Sequence, residues 1–361
     1  MESWPLFAVR VSLRGSFSME PSPKRMPTLD EVAARAGVSR TAASRVINNA
    51  PHVSRAKREA VQRAVRELDF VPNTSAQALA TRRAGTVVLA VSSDEPGLFA
   101  DPFFAEVIVG VSVALEQTDL ELILLLANTP RGRERFERLL RSHRADGVML
   151  MALRGDDPLG RLSEEADLPV VFGGLPLTGE PTWYVDADNR GGARLAAEHF
   201  ARTGRRRPVM ITGQVDARAA VAREQGFTEG LTLSGLPLLG VEPGQFTEDG
   251  GAEAMERLLR AHPGPDAVFA ASDAMAIGAL RTLRERGLRV PEDVAVIGFN
   301  DLASARHTSP PLTTVHQPVR ALGQEMARML VSAIEGHRPS PLILPTRLTV
   351  RESAPDLPAS A

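Results

Sequence analysis

Arg40, Thr41, Ser44, Arg45 and Asn48 bring five hydrogen-bonding side chains into one short stretch. An arginine fork can bond two acceptors on a guanine edge, and Ser, Thr and Asn can reach base edges or phosphates. Ala42, Ala43, Val46 and Ile47 fall between them at a spacing that lets them face inward on a helix. Ser39 stands where it can cap that helix. Upstream, Thr28 and Glu31 have the spacing of a capping box, ahead of the apolar Val32, Ala33 and Ala36. Gly37 lies between the two segments, and a sharp turn at positive φ costs glycine little. Two helices joined by such a turn match the helix-turn-helix, whose second helix enters the major groove of DNA.

The elements that must hold these residues follow in order. Ser54–Leu68 reads as a third helix capped by Ser54, with Ala60, Val61, Ala64, Val65 and Leu68 on one face. Phe70 and Val71 close a small core and Pro72 stops it. Asn73–Ala80 is too short to be a stable helix alone in water, so it is expected to order only on DNA. Thr81–Gly85 links to the rest of the chain. Residues 24–83 hold 12 Lys and Arg against 5 Asp and Glu, whereas residues 84–361 hold 28 against 37. A basic head on an acidic body is the electrostatic footprint of a nucleic-acid binder with a separate control domain. The candidates for DNA contact are Thr28, Ser39, Arg40, Thr41, Ser44, Arg45, Asn48, His52, Asn73 and Leu79.

From Thr86 the rhythm changes. Short apolar runs at 86–91, 120–127, 147–153, 169–173, 207–213, 266–272 and 293–299 alternate with helical stretches. Continuous apolar strands separated by helices predict parallel sheets covered on both faces. Seven units exceed one small sheet and fall short of a closed barrel, so two doubly wound α/β lobes are expected. Ligands bind such sheets at the carboxyl ends of the strands, which places a site in the cleft between lobes. Asp273 directly follows a strand and falls at such an end. Phe103, Phe104 and Trp183 can stack on a ring, in a chain with only 13 Phe, 2 Trp and 1 Tyr.

Much is excluded. With no cysteine, disulfides, thiolate metal sites and cysteine nucleophiles are impossible. The seven histidines show no metal-binding spacing, so neither a metal nor another cofactor is expected. No GxSxG elbow or phosphate-loop lysine appears, so no catalytic residue is assigned. Asp186 and Asp188 share a strand face, but read most simply as a solvated strand end with a hydrogen bond to ligand. No apolar run reaches the ~18 residues of a membrane helix. Residues 1–25 do not read as a secretory signal, and are expected to be a disordered arm or to precede the true start.

At 28–80 the sequence resembles the LacI/GalR family of bacterial transcription regulators: TLDEVAARAGVS, SRVIN, VS, LDFVPN and AQALA. The resemblance continues through DPFFAE (101–106), RADGVML, VDADNRGG, AREQGF, ASDAMAIGAL, GLRVPEDVAVIGFND, PPLTTVHQP and LTVRES, and so spans nearly everything after residue 26. It implies a helix-turn-helix domain at 26–72, a hinge helix and linker at 73–83, and a body at 84–361 similar to periplasmic sugar-binding proteins. The N-lobe would take about 84–187 and 317–345, and the C-lobe about 188–316 and 346–361, with crossings near Asp188, His316 and Thr346. Leu79 would wedge into the minor groove, a device that kinks the duplex. Arg223, in R-x-x-G-F, matches the family's ligand-binding arginine, and Gln317 matches a crossing strand. Asp101 lies in the DPFFAE match. The effector candidates are therefore Asp101, Phe103, Phe104, Trp183, Arg223, Asp273, Asn300 and Gln317.

Three positions depart from the family pattern. Ala42-Ala43 replaces Thr-Val, removing one polar contact. Asn300 stands where Asp is more common, and Asn donates as well as accepts. Gly173-Gly174 replaces a position that is polar in several relatives.

The resulting expectation is a cytoplasmic, ligand-responsive DNA-binding regulator, a repressor with operator DNA as partner and a sugar-like effector. The alternative within that class is a nucleobase or phosphorylated effector or co-repressor. A solute-binding protein would lack the basic head, and an enzyme would need a nucleophile or metal cluster. The chain should act as a homodimer, since two heads read a palindrome. Its last nine residues carry two prolines and no heptad, which predicts a dimer and no coiled-coil tetramer.

Overall fold

The computed structural model describes residues 26–48, 52–70, 83–92, 102–127, 129–142, 144–155, 157–166, 168–179 and 181–356. The leader 1–25, the hinge 73–80 with Asn73 and Leu79, and Asp101 lie outside the described residues. The chain divides into two compact units, Met1–Arg82 and Arg83–Ala361.

In the first unit, α1 (Leu29–Ala36), α2 (Arg40–Ile47) and α3 (Arg55–Leu68) surround a core of Val32, Ala33, Ala43, Val46, Val61 and Ala64. The capping box forms: Thr28 N–H donates to Glu31 Oε2 at 2.6 Å, and Glu31 N–H to Thr28 Oγ1 at 3.3 Å. Gly37 ends α1 in the left-handed region at φ 66°, and its N–H donates back to the carbonyls of Ala33 and Ala34. Ser39 Oγ accepts from Ala42 N–H at 3.2 Å and so caps α2. Ser54 holds the cap position of α3, but its hydroxyl makes no capping bond. An Arg35–Glu67 ion pair at 2.6 Å ties α1 to α3.

The second unit holds two six-stranded sheets. The first uses β1 (Thr86–Val91), β2 (Glu121–Leu126), β3 (Gly147–Met151), β4 (Val170–Gly173), β5 (Tyr184–Ala187) and β11 (Leu342–Leu344), in the order β11-β5-β4-β3-β1-β2. The second uses β6 (Pro208–Thr212), β7 (Val241–Pro243), β8 (Ala267–Ala270), β9 (Ala295–Asn300), β10 (Thr313–His316) and β12 (Arg347–Thr349), in the order β12-β10-β9-β8-β6-β7. All pairings are parallel except β10 with β12. The helices of this unit are α4 (Pro102–Leu115), α5 (Pro130–Arg141), α6 (Pro158–Glu164), α7 (Asn189–Arg202), α8 (Arg218–Leu233), α9 (Glu248–Ala261), α10 (Asp273–Glu285) and α11 (Val319–Ile334).

The chain passes from the first sheet to the second between β5 and α7. It returns between β10 and α11, and passes once more between β11 and β12. The central strands are buried over their whole length, as in β3 and β6. This is why they read as continuous apolar runs instead of alternating ones. The strands outside the apolar runs, β5, β7, β10, β11 and β12, are each three or four residues long.

Candidate functional site

In the head, α2 turns Ala43 and Val46 into the core and leaves Arg40, Thr41, Arg45 and Asn48 exposed. Ser44 is half-buried, and its Oγ accepts from Asn48 Nδ2 at 3.4 Å. Arg40 lies 3.5 Å from Asp30, a pair exposed on both sides that holds the arginine weakly. Thr28 and Ser39 are exposed but spend their hydroxyls on caps. His52 is exposed just ahead of α3, with φ 64°. One helix thus presents a polar face carrying two arginines, held rigidly from behind.

In the second unit a cavity of about 580 Å³ lies between the two sheets, at the carboxyl ends of their strands. That is within the roughly 300–1,000 Å³ of small-molecule sites. The first lobe lines it with Phe103 and Phe104 from α4, Leu150 and Met151 from β3, Gly173 and Gly174 after β4, and Asp186 from β5. The two phenyl rings meet edge to face, with centroids 5.2 Å apart. The second lobe contributes Gln214 after β6, Arg223 from α8, Phe246 after β7 and Asn300 from β9. Asn189 and Gln317 enter from two of the crossings.

Arg223 is the centre of the polar side and is only 4% exposed. Its Nε donates to Asn189 Oδ1 at 2.9 Å, one terminal nitrogen to the Ala271 carbonyl at 2.5 Å, and the other to Gln317 Oε1 at 3.0 Å. The Phe299 ring lies 3.7 Å below the guanidinium. The arginine is thus aimed by neutral acceptors from two of the crossings and from the end of β8, and by a cation–π contact. Asn189 also donates to Asp186 Oδ1 at 2.9 Å, so Asp186 and Arg223 meet through an amide. Burial pushes the Asp186 carboxyl above its ordinary value. The backbone N–H groups of Leu175 and Ala187, the Arg223 charge and the Asn189 amide pull the other way.

Asn300 is buried, takes φ 115°, and its Oδ1 has no hydrogen-bond partner among the described residues. An unpaired buried acceptor costs about 1–3 kcal/mol, and this one is closed off even from the cavity that Asn300 lines. Phe246 and Gln245 both adopt positive φ, and Gln214 Nε2 holds this turn by donating to the Gln245 carbonyl at 3.1 Å.

Phe103, Phe104, Arg223, Asn300 and Gln317 all line this cavity, whereas two further candidates do not. Asp273 is fully buried behind the wall. Its Oδ2 accepts from Leu302 N–H at 2.8 Å and its Oδ1 from Thr314 Oγ1 at 2.5 Å. It is a strut that pins the loop after β9 to β10, beside Ser272, which caps α10. Trp183 packs half-buried against the first lobe's core and does not line the cavity. The sequence reading missed Asn189, Gln214 and Phe246. Gln214 and Phe246 lie in the turns after β6 and β7, a signal lost for Phe246 because β7 has only three residues.

Comparison with known proteins gives a consistent picture. Residues 28–73 match the family model described as bacterial regulatory proteins, lacI family, and residues 197–354 match a periplasmic binding protein-like domain. The chain is 47% identical over 336 residues to the HTH-type transcriptional regulator CelR of Thermobifida fusca, covering 91% of this chain and 99% of that protein. It is 34% identical over 318 residues to the HTH-type transcriptional repressor PurR of Erwinia tasmaniensis, covering 87% and 92%. Among solved structures, a CelR–cellobiose complex superposes with a TM-score of 0.72 at 46% identity, covering 91% of this chain and 99% of that one. The Lac repressor dimer bound to operator and an anti-inducer superposes with a TM-score of 0.81 at 26% identity, covering 92% and 100%.

Proposed function

The chain belongs to the lacI family of bacterial regulatory proteins and is a ligand-responsive, DNA-binding transcriptional regulator; from that premise we propose that it is a repressor whose effector is a small neutral sugar held in the interlobe cavity. The observation that carries the reading is the polar wall. Arg223 is engaged by three neutral acceptors, and the neutral amides of Asn189, Asn300 and Gln317 line the cavity beside it. A sugar hydroxyl donates as well as accepts, so it matches amides such as those of Asn300 and Gln317 beside the arginine network. The aromatic rings of Phe103, Phe104 and Phe246 supply apolar faces of the kind a pyranose ring covers. The cellobiose bound by the similar CelR points to a disaccharide.

DNA contact is assigned to Arg40, Thr41, Ser44, Arg45 and Asn48. They form the exposed side of the helix that a helix-turn-helix inserts in the major groove. A DNA partner places the protein in the cytoplasm. The dimer face is assigned to α4 and the edge strand β2, where Val109, Val113, Ile123, Leu124 and Leu126 are 39–41% exposed. Apolar side chains on an open sheet edge call for a partner.

A thermal-shift panel of cellobiose, monosaccharides, sugar phosphates and purine bases tests the effector. A ligand that binds only the native state raises the melting temperature by mass action. Cellobiose or a related neutral sugar is expected to do so. Stabilisation by a purine or a sugar phosphate alone would overturn the reading.

A further inference from the structure

Opposite the crossings, the two lobes touch directly. The crossings involve β5 and β11 of one sheet and β10 and β12 of the other, all at one edge. The loop after β3 lies two strands inward from β5, and the loop after β6 lies three strands inward from β10. These two loops meet across the cleft. Gly155 N–H donates to the Asp216 carbonyl at 2.9 Å, and Arg154 Nε lies 3.6 Å from Asp216 Oδ2. Gly155 sits at φ 50°, a conformation that glycine adopts at little cost and that brings its N–H to the opposite loop. Arg154 itself lines the cavity, and so do Gln214 and Ala217 on either side of Asp216.

We propose that Arg154, Gly155 and Asp216 form a clasp that closes the lobes over the cavity, and that effector enters and leaves only when it opens. The crossings let the lobes swing about one edge. A contact away from that edge therefore helps to fix the angle. Its strength suits a gate: one backbone hydrogen bond and one partly exposed ion pair can break on the timescale of lobe motion. The clasp rests on the reading of the cavity as the effector site, and it adds a device that controls exchange.

The chain has no cysteine, so a crosslink can be introduced without background. A Cβ on Gly155 would lie 4.0 Å from the Asp216 Cβ, inside the range that a disulfide spans. The test uses the full-length chain carrying Gly155→Cys and Asp216→Cys under oxidised glutathione, with cellobiose as probe. The pair is expected to crosslink in the folded protein without ligand. The crosslinked protein should then neither take up nor release probe until it is reduced. Cysteines that stay reduced in folded protein, or a crosslinked protein that exchanges probe at the wild-type rate, would overturn the clasp.

If cellobiose fails to bind the wild type, the sugar reading falls while the crosslinking yield still decides whether the loops meet. Should the strained Gly155→Cys chain not fold, charge reversal replaces it. Arg154→Glu and Asp216→Arg should each speed probe release about threefold, the scale of a partly exposed pair, and together restore it. Single variants that release at the wild-type rate, or a double variant with no recovery, would count against the clasp.

Discussion

The head and the body keep their polar chemistry in opposite places. In the head, Arg40, Thr41, Arg45 and Asn48 stand in solvent on one helix, and the packing behind them is apolar. In the body, Arg223, Asn189, Asn300 and Gln317 are each 5% exposed or less and come from four separate stretches of chain. A surface that must meet a long polyanion keeps its donors hydrated until contact. A cavity that must choose one small molecule prearranges them in a low dielectric, where each mismatch is costly. Buried and exposed groups should therefore answer to mutation very differently.

Arg223→Ala should have the largest effect. It strips partners from Asn189, Gln317 and the Ala271 carbonyl at once. Charge-assisted hydrogen bonds of this kind are worth about 1.5–3 kcal/mol each, so effector binding should become undetectable by calorimetry and the melting temperature should fall. A variant that binds effector normally would show that the cavity does not depend on its buried centre. Leu124→Glu on β2 should come next. A carboxylate placed in an apolar interface should weaken the dimer by about 2–3 kcal/mol in analytical ultracentrifugation. An unchanged dimer would move the interface elsewhere.

On the exposed side, Arg45→Ala should cost about 1–3 kcal/mol of specific operator affinity if it reads a guanine, with no change in melting temperature. Equal loss on random DNA would make Arg45 a phosphate contact. The smallest effect concerns His199, buried in α7 with Nε2 donating to the Ala354 carbonyl at 2.9 Å and Nδ1 facing Arg202. Burial holds its pKa below the ordinary 6.5, and the Arg202 charge adds to this, against the Ala354 carbonyl and Asp356. The neutral form is the one that fits. Its stabilising contribution is complete above pH 6.5 and is lost as the pH falls below that toward the folded value. His199→Gln should flatten this part of the pH–stability curve.

The same contrast explains what could be read from sequence. The head was legible almost residue by residue, because its caps, turn and donors act within a few positions of each other. Among the described residues the Ser54 cap did not form, its hydroxyl making no capping bond at the start of α3. The central strands were legible because burial on both faces leaves continuous apolar runs. The short strands β5, β10 and β11 carry too few residues for a periodic signal. The helix α11 had one, with Leu322, Met326, Leu330 and Ala333 buried at helical spacing, but it went unassigned. Cavity residues were hardest. Asp273 at a strand end looks from sequence like any ligand contact, and only its bonds to Leu302 and Thr314 show it facing away. Asn189 and Gln214 matter through partners 34 and 31 residues distant, which no local pattern encodes.

The central claim is that a neutral sugar in the cavity changes how the head holds DNA. Fluorescence anisotropy of an operator fragment, selected from a random pool by the protein itself, tests it when titrated with cellobiose. The account predicts that cellobiose shifts operator affinity by about tenfold or more, the scale of a 1–3 kcal/mol coupling, and that cellobiose itself binds the DNA complex with affinity changed by the same factor. Operator affinity that stays constant at saturating cellobiose, yet shifts with a purine base or a sugar phosphate, would contradict it.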